Sequence, residues 1–167
     1  MRKPREREDN VIYDVSSEIN RGAADLQSPE MKTKFLVFVK KAQQKYSFEL
    51  LNFCITDNYI HLIIKPASGQ SISRIMQWIK GNFAKYWNKE HNTKGHLWGE
   101  RFFSKIIRNV SQFWDSIKYI DERPVEAKLA AKAEDWEFCG LYHDARGRLD
   151  VVAIPRIVMP WLFFGIA

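Results

Sequence analysis

The chain contains few cysteines, only 2 among 167 residues. Cys54 and Cys139 stand 85 positions apart, and neither belongs to a CxxC pair. Structural zinc sites need closely spaced thiolates, and disulfide-rich folds need more cysteines, so both classes are excluded. Two unlinked cysteines indicate a protein of the reducing cytoplasm.

Long hydrophobic runs are also lacking. The first ten residues, MRKPREREDN, contain no apolar stretch of the kind found in a signal peptide. The most apolar segment, at residues 151–167, is interrupted by Pro155, Arg156 and Pro160, and it is too short to cross a bilayer. The sequence therefore predicts a soluble protein without a membrane partner.

Acidic residues are outnumbered by basic ones. The chain has 26 Lys and Arg against 20 Asp and Glu, a formal net charge of +6. This balance favours a polyanionic partner such as a nucleic acid. Length and the 46% hydrophobic content suit one domain. We expect an arm of alternating basic and acidic residues at 1–10, the folded domain at 11–142 and a tail at 143–167.

Capping residues predict three helices. The Ser-Pro pair at 28–29 places a side-chain acceptor at the N-cap and proline at the first helical position. Ser71 or Ser73 caps a second helix, and Ser111 caps a third helix that ends before Pro124.

Four segments have the alternation and β-branched content of strands, at residues 11–19, 47–56, 59–66 and 96–109. The order is therefore βαββαβ followed by an additional helix. This order predicts an α+β fold of the ferredoxin-like type, a sandwich of an antiparallel sheet and two helices. The two helices would cover one face of the sheet and leave the other face open.

One polar side chain stands inside a strongly apolar strand, in the segment DNYIHLIIKP at 57–66. Because side chains alternate along a strand, Ile60, Leu62 and Ile64 form an apolar face. Tyr59 and His61 point together to the opposite, open face. An imidazole there is a candidate metal ligand or acid-base group.

The third predicted helix has an apolar stripe, formed by Phe113, Ile117 and Ile120. Tyr119 falls outside this stripe, and Arg123 follows it by one turn on the same polar side. Because the stripe must be buried, we expect the helix to pack on the open sheet face with Tyr119 close to His61. A boundary tyrosine without a chemical role is the alternative interpretation.

Three ordered motifs resemble those of the REP-associated tyrosine transposases, a branch of the HUH nuclease superfamily. DNYIHLIIKP resembles the strand that carries two histidines in that superfamily, and GHLWGERFFSKII resembles the family's G-x-x-W-x-x-R-(F/Y) strand. YIDERPVEAKL, followed by EDWEFCGLY, resembles the helix that carries the nucleophilic tyrosine. The resemblance extends over roughly residues 2–142.

The resemblance implies chemistry on DNA. In that family a tyrosine attacks a phosphate of single-stranded DNA and forms a 5′-phosphotyrosine bond, while a divalent ion, Mg²⁺ or Mn²⁺, polarises the phosphate. Tyr119 corresponds to the nucleophile and His61 to the second metal-binding histidine. The implied partner is single-stranded or stem-loop DNA.

The other two metal-ligand positions differ from the family. Tyr59 stands where the first histidine belongs, and Arg123 stands where the family has Asn or Gln. A neutral phenol is a poor ligand, and a guanidinium has donors but no acceptor. The degenerate motif therefore predicts that the divalent ion is held weakly or lost. Arg123 is instead suited to contact a phosphate directly.

The remaining candidates concern the surroundings of the site. Arg101, Lys105 and Arg108 are predicted to contact the DNA backbone, although charged residues on a strand edge also prevent aggregation. Missing metal ligands have three candidate sources elsewhere in the chain: Asp57, His96 and Glu100. Trp98 is expected in the core, whereas the other three histidines are expected at the surface: His91, His96 and His143.

Three functional hypotheses follow. The first is a transposase-like protein that binds single-stranded or hairpin DNA with impaired strand cleavage. The second is an active transposase that recruits its ligands from other residues. The third is a nucleic-acid-binding module without catalysis, including an RNA-binding domain of the same topology, although the strands lack an aromatic RNP pattern.

Overall fold

The computed structural model describes residues 8–20, 26–148 and 150–152. A four-stranded antiparallel sheet has the order β2-β3-β1-β4. Along the chain the elements are β1 (Ile12–Glu18), α1 (Pro29–Tyr46), β2 (Phe48–Ile55), β3 (Tyr59–Pro66), α2 (Ile72–Glu90), β4 (Phe103–Ile107), α3 (Val110–Glu126), a 3₁₀ helix (Ala133–Asp135) and α4 (Gly140–Asp144). The predicted βαββαβ arrangement with an additional helix is confirmed.

The first two helices begin where the caps predict. Ser28 accepts a hydrogen bond from the Met31 amide, and Ser71 accepts one from the Arg74 amide. The α2 helix packs on one face of the sheet, where Lys80 donates to the Ser17 hydroxyl at 2.7 Å. That face is mostly apolar, and residues such as Val15 and Leu62 are completely buried on it. We call it the apolar face.

The third helix covers part of the opposite face, which the first two helices leave open, as the sequence predicts. Its stripe of Phe113, Ile117 and Ile120 is buried as predicted. The cap is Asn109, whose side chain accepts from the Gln112 amide, so the prediction of Ser111 is wrong. The helix also continues through Pro124 to Glu126, because amides beyond the proline still bind carbonyls of its last turn.

The fourth strand is shorter than predicted, since it begins at Phe103 rather than at residue 96. The segment before it bonds to the end of β1 in an irregular way: the Leu97 carbonyl accepts from Asn20, and the Gly99 amide donates to Glu18. The Trp98 indole donates to the Lys80 carbonyl at 3.0 Å, which draws the segment towards α2. Trp98 is half-buried and packs against the core.

The chain after α3 returns to the edge of the sheet. The Ile55 amide donates to the Phe138 carbonyl at 2.8 Å, and Cys139 lies opposite Cys54 in an isolated antiparallel bridge. The α4 helix spans residue 142, where the sequence places the end of the folded domain. The division of the chain into a domain at 11–142 and a tail at 143–167 stays a prediction. In the described part of the chain, no helix is both long and apolar enough to span a bilayer.

Candidate active site on the polar face of the sheet

Strand register places the polar candidates on one sheet face. Ser16 of β1 pairs with His61 on one side and with Phe103 on the other. Residues directly opposite each other in an antiparallel sheet share a face, so these side chains form one row. Asp14 and Lys105 form the next row on the same face, two residues along each strand. We call this surface, which α3 covers in part, the polar face.

The only histidine among the paired strand residues of this face is His61, and it is buried, with 5% of its surface exposed. Its Nε2 contacts Asp14 Oδ1, and the other oxygen of Asp14 accepts a hydrogen bond from the Ser116 hydroxyl at 2.8 Å. A carboxylate only accepts hydrogen bonds, so the Nε2 of His61 carries the proton. Among the described residues, His61 Nδ1 has no hydrogen-bond partner.

Asp14 is held in its charged form. Burial by itself raises the pKa of this carboxyl, but the hydrogen bond and charge of His61, with the Ser116 hydroxyl, bring the pKa below its ordinary value. The carboxylate therefore remains ionised at neutral pH. It fixes the ring of His61 and joins β1 to α3.

Tyr119 lies beside His61, with 5.7 Å between the ring centroids and the planes tilted by 70°. The predicted placement of these two residues is confirmed, whereas their chemical roles stay predictions. Tyr119 is 48% exposed, so the residue is accessible from solvent. Two contacts fix α3 on the sheet: Ser116 with Asp14, and Asp121 with the Asn52 amide at 3.1 Å.

Arg123 occupies the space between the two tyrosines of the site. Its guanidinium carbon is 5.4 Å from the ring centroid of Tyr119 and 5.7 Å from that of Tyr59. One of its terminal nitrogens donates to Glu126 at 2.9 Å. Burial raises the pKa of Tyr59, although a hydrogen bond with Ser16 acts in the opposite direction. Tyr59 is therefore a neutral phenol at physiological pH.

The donor groups of this site do not fit a divalent cation. His61 offers at most one lone pair, on Nδ1, because its Nε2 is engaged by Asp14. Tyr59 keeps its proton, and Arg123 offers no lone pair. Mg²⁺ and Mn²⁺ prefer several oxygen ligands in an octahedral arrangement. Throughout the described ranges, no group of three or more His, Cys, Asp or Glu side chains could hold a metal ion.

The residues considered as substitute ligands are engaged or lie elsewhere. Asp57 forms an ion pair with the buried Lys32 at 2.9 Å. His96 and Glu100 line a groove of about 770 Å³ beside Lys80 on α2. The acidic group that does meet His61 is Asp14, which the sequence interpretation missed. The alternation of IYDVSSE could have revealed it, because Asp14 and Ser16 fall on the same face of β1.

Three of the predicted DNA-contacting residues are exposed, Arg101, Lys105 and Arg108, whereas Arg123 is half-buried. Their charges are not equally available. Arg101 and Lys105 point to solvent next to the site. Arg108 binds the carboxylate of Glu8 through two nitrogens, at 2.7 and 3.2 Å. Its guanidinium keeps the pKa of Glu8 below the ordinary value, so Arg108 is partly neutralised.

One surface prediction is wrong. His143 is buried on α4, where its Nε2 lies 3.0 Å from the Glu137 carbonyl. Its ring lies 5.6 Å from that of Phe53. The run HDARGR looks basic and polar in sequence, but α4 turns this residue towards the sheet. His91 and His96 are exposed, as expected.

Comparisons with known proteins agree on one family. The model of the family described as "Transposase IS200 like" matches residues 20–123. This range begins after β1 and ends at Arg123, so it includes His61 and Tyr119. A protein of Haemophilus influenzae described as "Putative REP-associated tyrosine transposase" is 21% identical over 120 residues, which is 66% of this chain and 68% of the relative.

Two solved structures have the same fold. A REP-associated tyrosine transposase bound to a REP hairpin superposes with a TM-score of 0.74 at 21% identity, covering 92% of this chain and 91% of that one. A "putative transposase" of Deinococcus radiodurans superposes with a TM-score of 0.50 at 15% identity, covering 71% and 97% of the two chains.

Proposed function

Because the chain belongs to the IS200-like transposase family, we propose that it binds single-stranded or hairpin DNA on its polar face and that its metal-dependent strand cleavage is impaired. The observation that carries this proposal is the position of Arg123. A cation stands between Tyr119 and Tyr59, at the place where the resemblance implies a metal ligand.

Several features support DNA as the partner. The chain has a net charge of +6, and Arg101 and Lys105 are exposed beside the site. Basic side chains around an exposed aromatic ring suit phosphates and unstacked bases together. The similar transposase bound to a REP hairpin makes a stem-loop the first ligand to test. Both cysteines are buried thiols, which fits a cytoplasmic location.

Impaired cleavage follows from the donor chemistry of the site. A tyrosine hydroxyl is a weak nucleophile at neutral pH, and phosphate oxygens repel it unless their charge is withdrawn. Arg123 supplies a positive charge near Tyr119, partly neutralised by Glu126, and its guanidinium suits phosphate binding. It does not supply the coordination of a divalent ion. We therefore propose that Arg123 holds a DNA phosphate beside Tyr119 without strong activation.

An active transposase is the second candidate function, and one observation favours it. Asp14 meets His61 next to Tyr119, so the site contains a carboxylate and an imidazole within one network. If a strand were cleaved, the hydroxyl oxygen of Tyr119 would bond to phosphorus, and the 3′ oxygen of the adjoining nucleotide would leave and take up a proton. The covalent 5′-phosphotyrosine would then be the detectable product.

The proposal is tested first by binding. A labelled DNA stem-loop with a single-stranded flank is titrated with the protein at two salt concentrations, and an RNA of the same sequence serves as competitor. We expect DNA to bind at low salt and more weakly at high salt, because phosphate contacts release counterions. Absence of DNA binding at low salt would contradict the proposal. Preferential binding of the RNA would favour the RNA-binding alternative.

A further inference from the structure

One aromatic residue on the polar face is more exposed than its surroundings explain. Phe103, the first residue of β4, is 64% exposed, more than the other large hydrophobic residues at the described surface. Single exposed hydrophobic residues are common and need no function. The position of Phe103 relative to Tyr119 and to the neighbouring cations is what makes it a candidate ligand-binding residue.

Register fixes how far Phe103 lies from the candidate nucleophile. Ser16 pairs with Phe103 on one side and with His61 on the other. Neighbouring strands are ~4.8 Å apart, so Phe103 and His61 are about 10 Å apart on the same face. Tyr119 lies over His61. Two accessible aromatic rings are therefore separated by only a short distance on one surface.

A groove adjoins Phe103 and Tyr59 at the end of β1. It has a volume of about 470 Å³, and its lining includes Tyr59, Arg101 and Phe103 together with two acidic residues, Glu18 and Glu100. This volume is in the range of small-ligand sites. The lining thus contains one cation, Arg101, and one ring, Tyr59, that contacts Arg123.

The lining suits an unpaired nucleotide. An aromatic face stacks on any base, and an adjacent guanidinium or ammonium binds phosphate. Phe103 provides the ring, while Arg101 and Lys105 flank it along the chain on the exposed side. Lys105 also lies opposite Asp14, so this row leads back to the site. A purely apolar partner would not use these cations.

We propose that Phe103 is a base-stacking subsite for one unpaired nucleotide of the bound strand, with Arg101 and Lys105 against its neighbouring phosphates. This inference rests on the proposed DNA binding and adds the residue that holds the single-stranded part beside Tyr119. Because the ring makes no hydrogen bond to base edges, the subsite tolerates different bases.

The test compares a stacking variant with a matched aromatic control. Phe103→Leu keeps an apolar side chain of similar size but removes the ring. Trp114→Leu removes an exposed aromatic residue of α3 that lies about 140° around the helix from Tyr119. The probes are a labelled DNA stem-loop with a single-stranded thymidine flank and the same stem-loop with an abasic flank, which keeps the phosphates.

We expect Phe103→Leu to weaken binding of the thymidine-flanked probe by about 5- to 150-fold, the range for loss of one stacked base. Trp114→Leu should bind like the wild type. With the abasic probe, the wild type and Phe103→Leu should bind equally. Lys105→Ala should lower the salt dependence, by about one unit in the slope of log affinity against log salt, whereas Phe103→Leu should leave it unchanged.

The outcomes separate this inference from the proposed function. Wild-type binding that Phe103→Leu does not weaken would overturn the stacking subsite and leave DNA binding intact. Equal weakening of the thymidine and abasic probes would also overturn it. If Phe103→Leu changed the oligomeric state in size-exclusion chromatography, with no flank-dependent loss, the ring would be a contact between protein copies. Failure of the wild type to bind either probe would overturn both proposals.

Discussion

The two faces of the sheet are built from the same strands but have opposite chemistry. On the apolar face, neighbours such as Val15, Leu62 and Ile64 are completely buried. On the polar face, the residues between them include Asp14 and His61, which contact each other beneath α3. Alternation along β1 and β3 thus places the core on one side and candidate chemistry on the other.

The difference between the two faces shows how the chain stabilises a polar site. Burial of apolar area provides most of the stability, and it is concentrated on the apolar face. On the polar face, α3 buries its apolar stripe, and specific hydrogen bonds add to that packing: Ser116 to Asp14, and Asn52 to Asp121. Substitutions on the two faces should therefore have separable effects.

The largest effect is expected on the apolar face. Leu62→Ala should lower the free energy of unfolding by about 2–5 kcal/mol, because it leaves a cavity at a completely buried position. The exposed Phe103→Leu should change it by less than about 0.5 kcal/mol. Urea denaturation measures both. Equal destabilisation by the two variants would contradict the division between the faces.

A second substitution tests the packing at the edge of the polar face. Gly140 lies so close to Asn52 that an added Cβ would overlap the side-chain oxygen of Asn52. Gly140→Ala should therefore cost about 1–3 kcal/mol and disturb the Asn52 contact with Asp121 of α3.

Gly81→Ala is the matched control. Gly81 is in α2, where an added Cβ meets nothing within 4 Å. Alanine should raise stability there by about 0.4–1 kcal/mol, since it restricts the unfolded chain and favours the helix. Thermal unfolding of both variants gives the comparison. A Gly140→Ala protein as stable as the wild type would show that this edge repacks easily.

The metal-ligand positions can be restored on the polar face. Tyr59→His together with Arg123→Asn replaces a neutral phenol and a cation by an imidazole and an amide oxygen. We expect Mn²⁺ to bind at least about tenfold more tightly, on the order of 1.4 kcal/mol. Tyr59→Phe with Arg123→Met is the control, because it removes the same groups and adds no ligand. Calorimetric titration with no gain over this control would show that other features prevent metal binding.

The smallest effect concerns His143, which brings a titratable ring to Phe53, a residue on the apolar side of β2. Burial lowers the pKa of His143 from its ordinary value of 6.5, so folding favours the neutral ring. The stabilising effect of the neutral His143 ring is fully present above pH 6.5 and is lost as the pH falls below that value. We expect a slightly smaller fall in stability between pH 6.5 and 5 for His143→Gln. A steeper fall in this variant would contradict the assignment.

Local signals in the sequence predict much of the fold. Ser28 and Ser71 identify helix starts because an N-cap acts within three residues. The position of Tyr119 follows from the stripe of α3, and its proximity to His61 follows from the need to bury that stripe. The β4 start is missed because Trp98 and Gly99 bond to α2 and β1, which are distant in sequence.

The composition of the site is less predictable. The Asp14 contact with His61 joins residues 47 positions apart, and only strand register brings them together. Arg123 is recognised as a departure from the family pattern, but its position between two tyrosine rings depends on how α3 lies on the sheet. Burial of His143 likewise depends on α4, a helix too short to have a clear sequence pattern.

One measurement tests the central claim most directly: formation of a covalent protein–DNA adduct. A labelled single-stranded or stem-loop DNA is incubated with the wild type and with Tyr119→Phe, with Mg²⁺ or Mn²⁺ and with chelator, and adducts are separated on a denaturing gel. We predict DNA binding by both proteins and little or no adduct from the wild type under any of these conditions. Efficient wild-type adduct formation that Tyr119→Phe abolishes would contradict the proposed impairment and establish an active nucleophile.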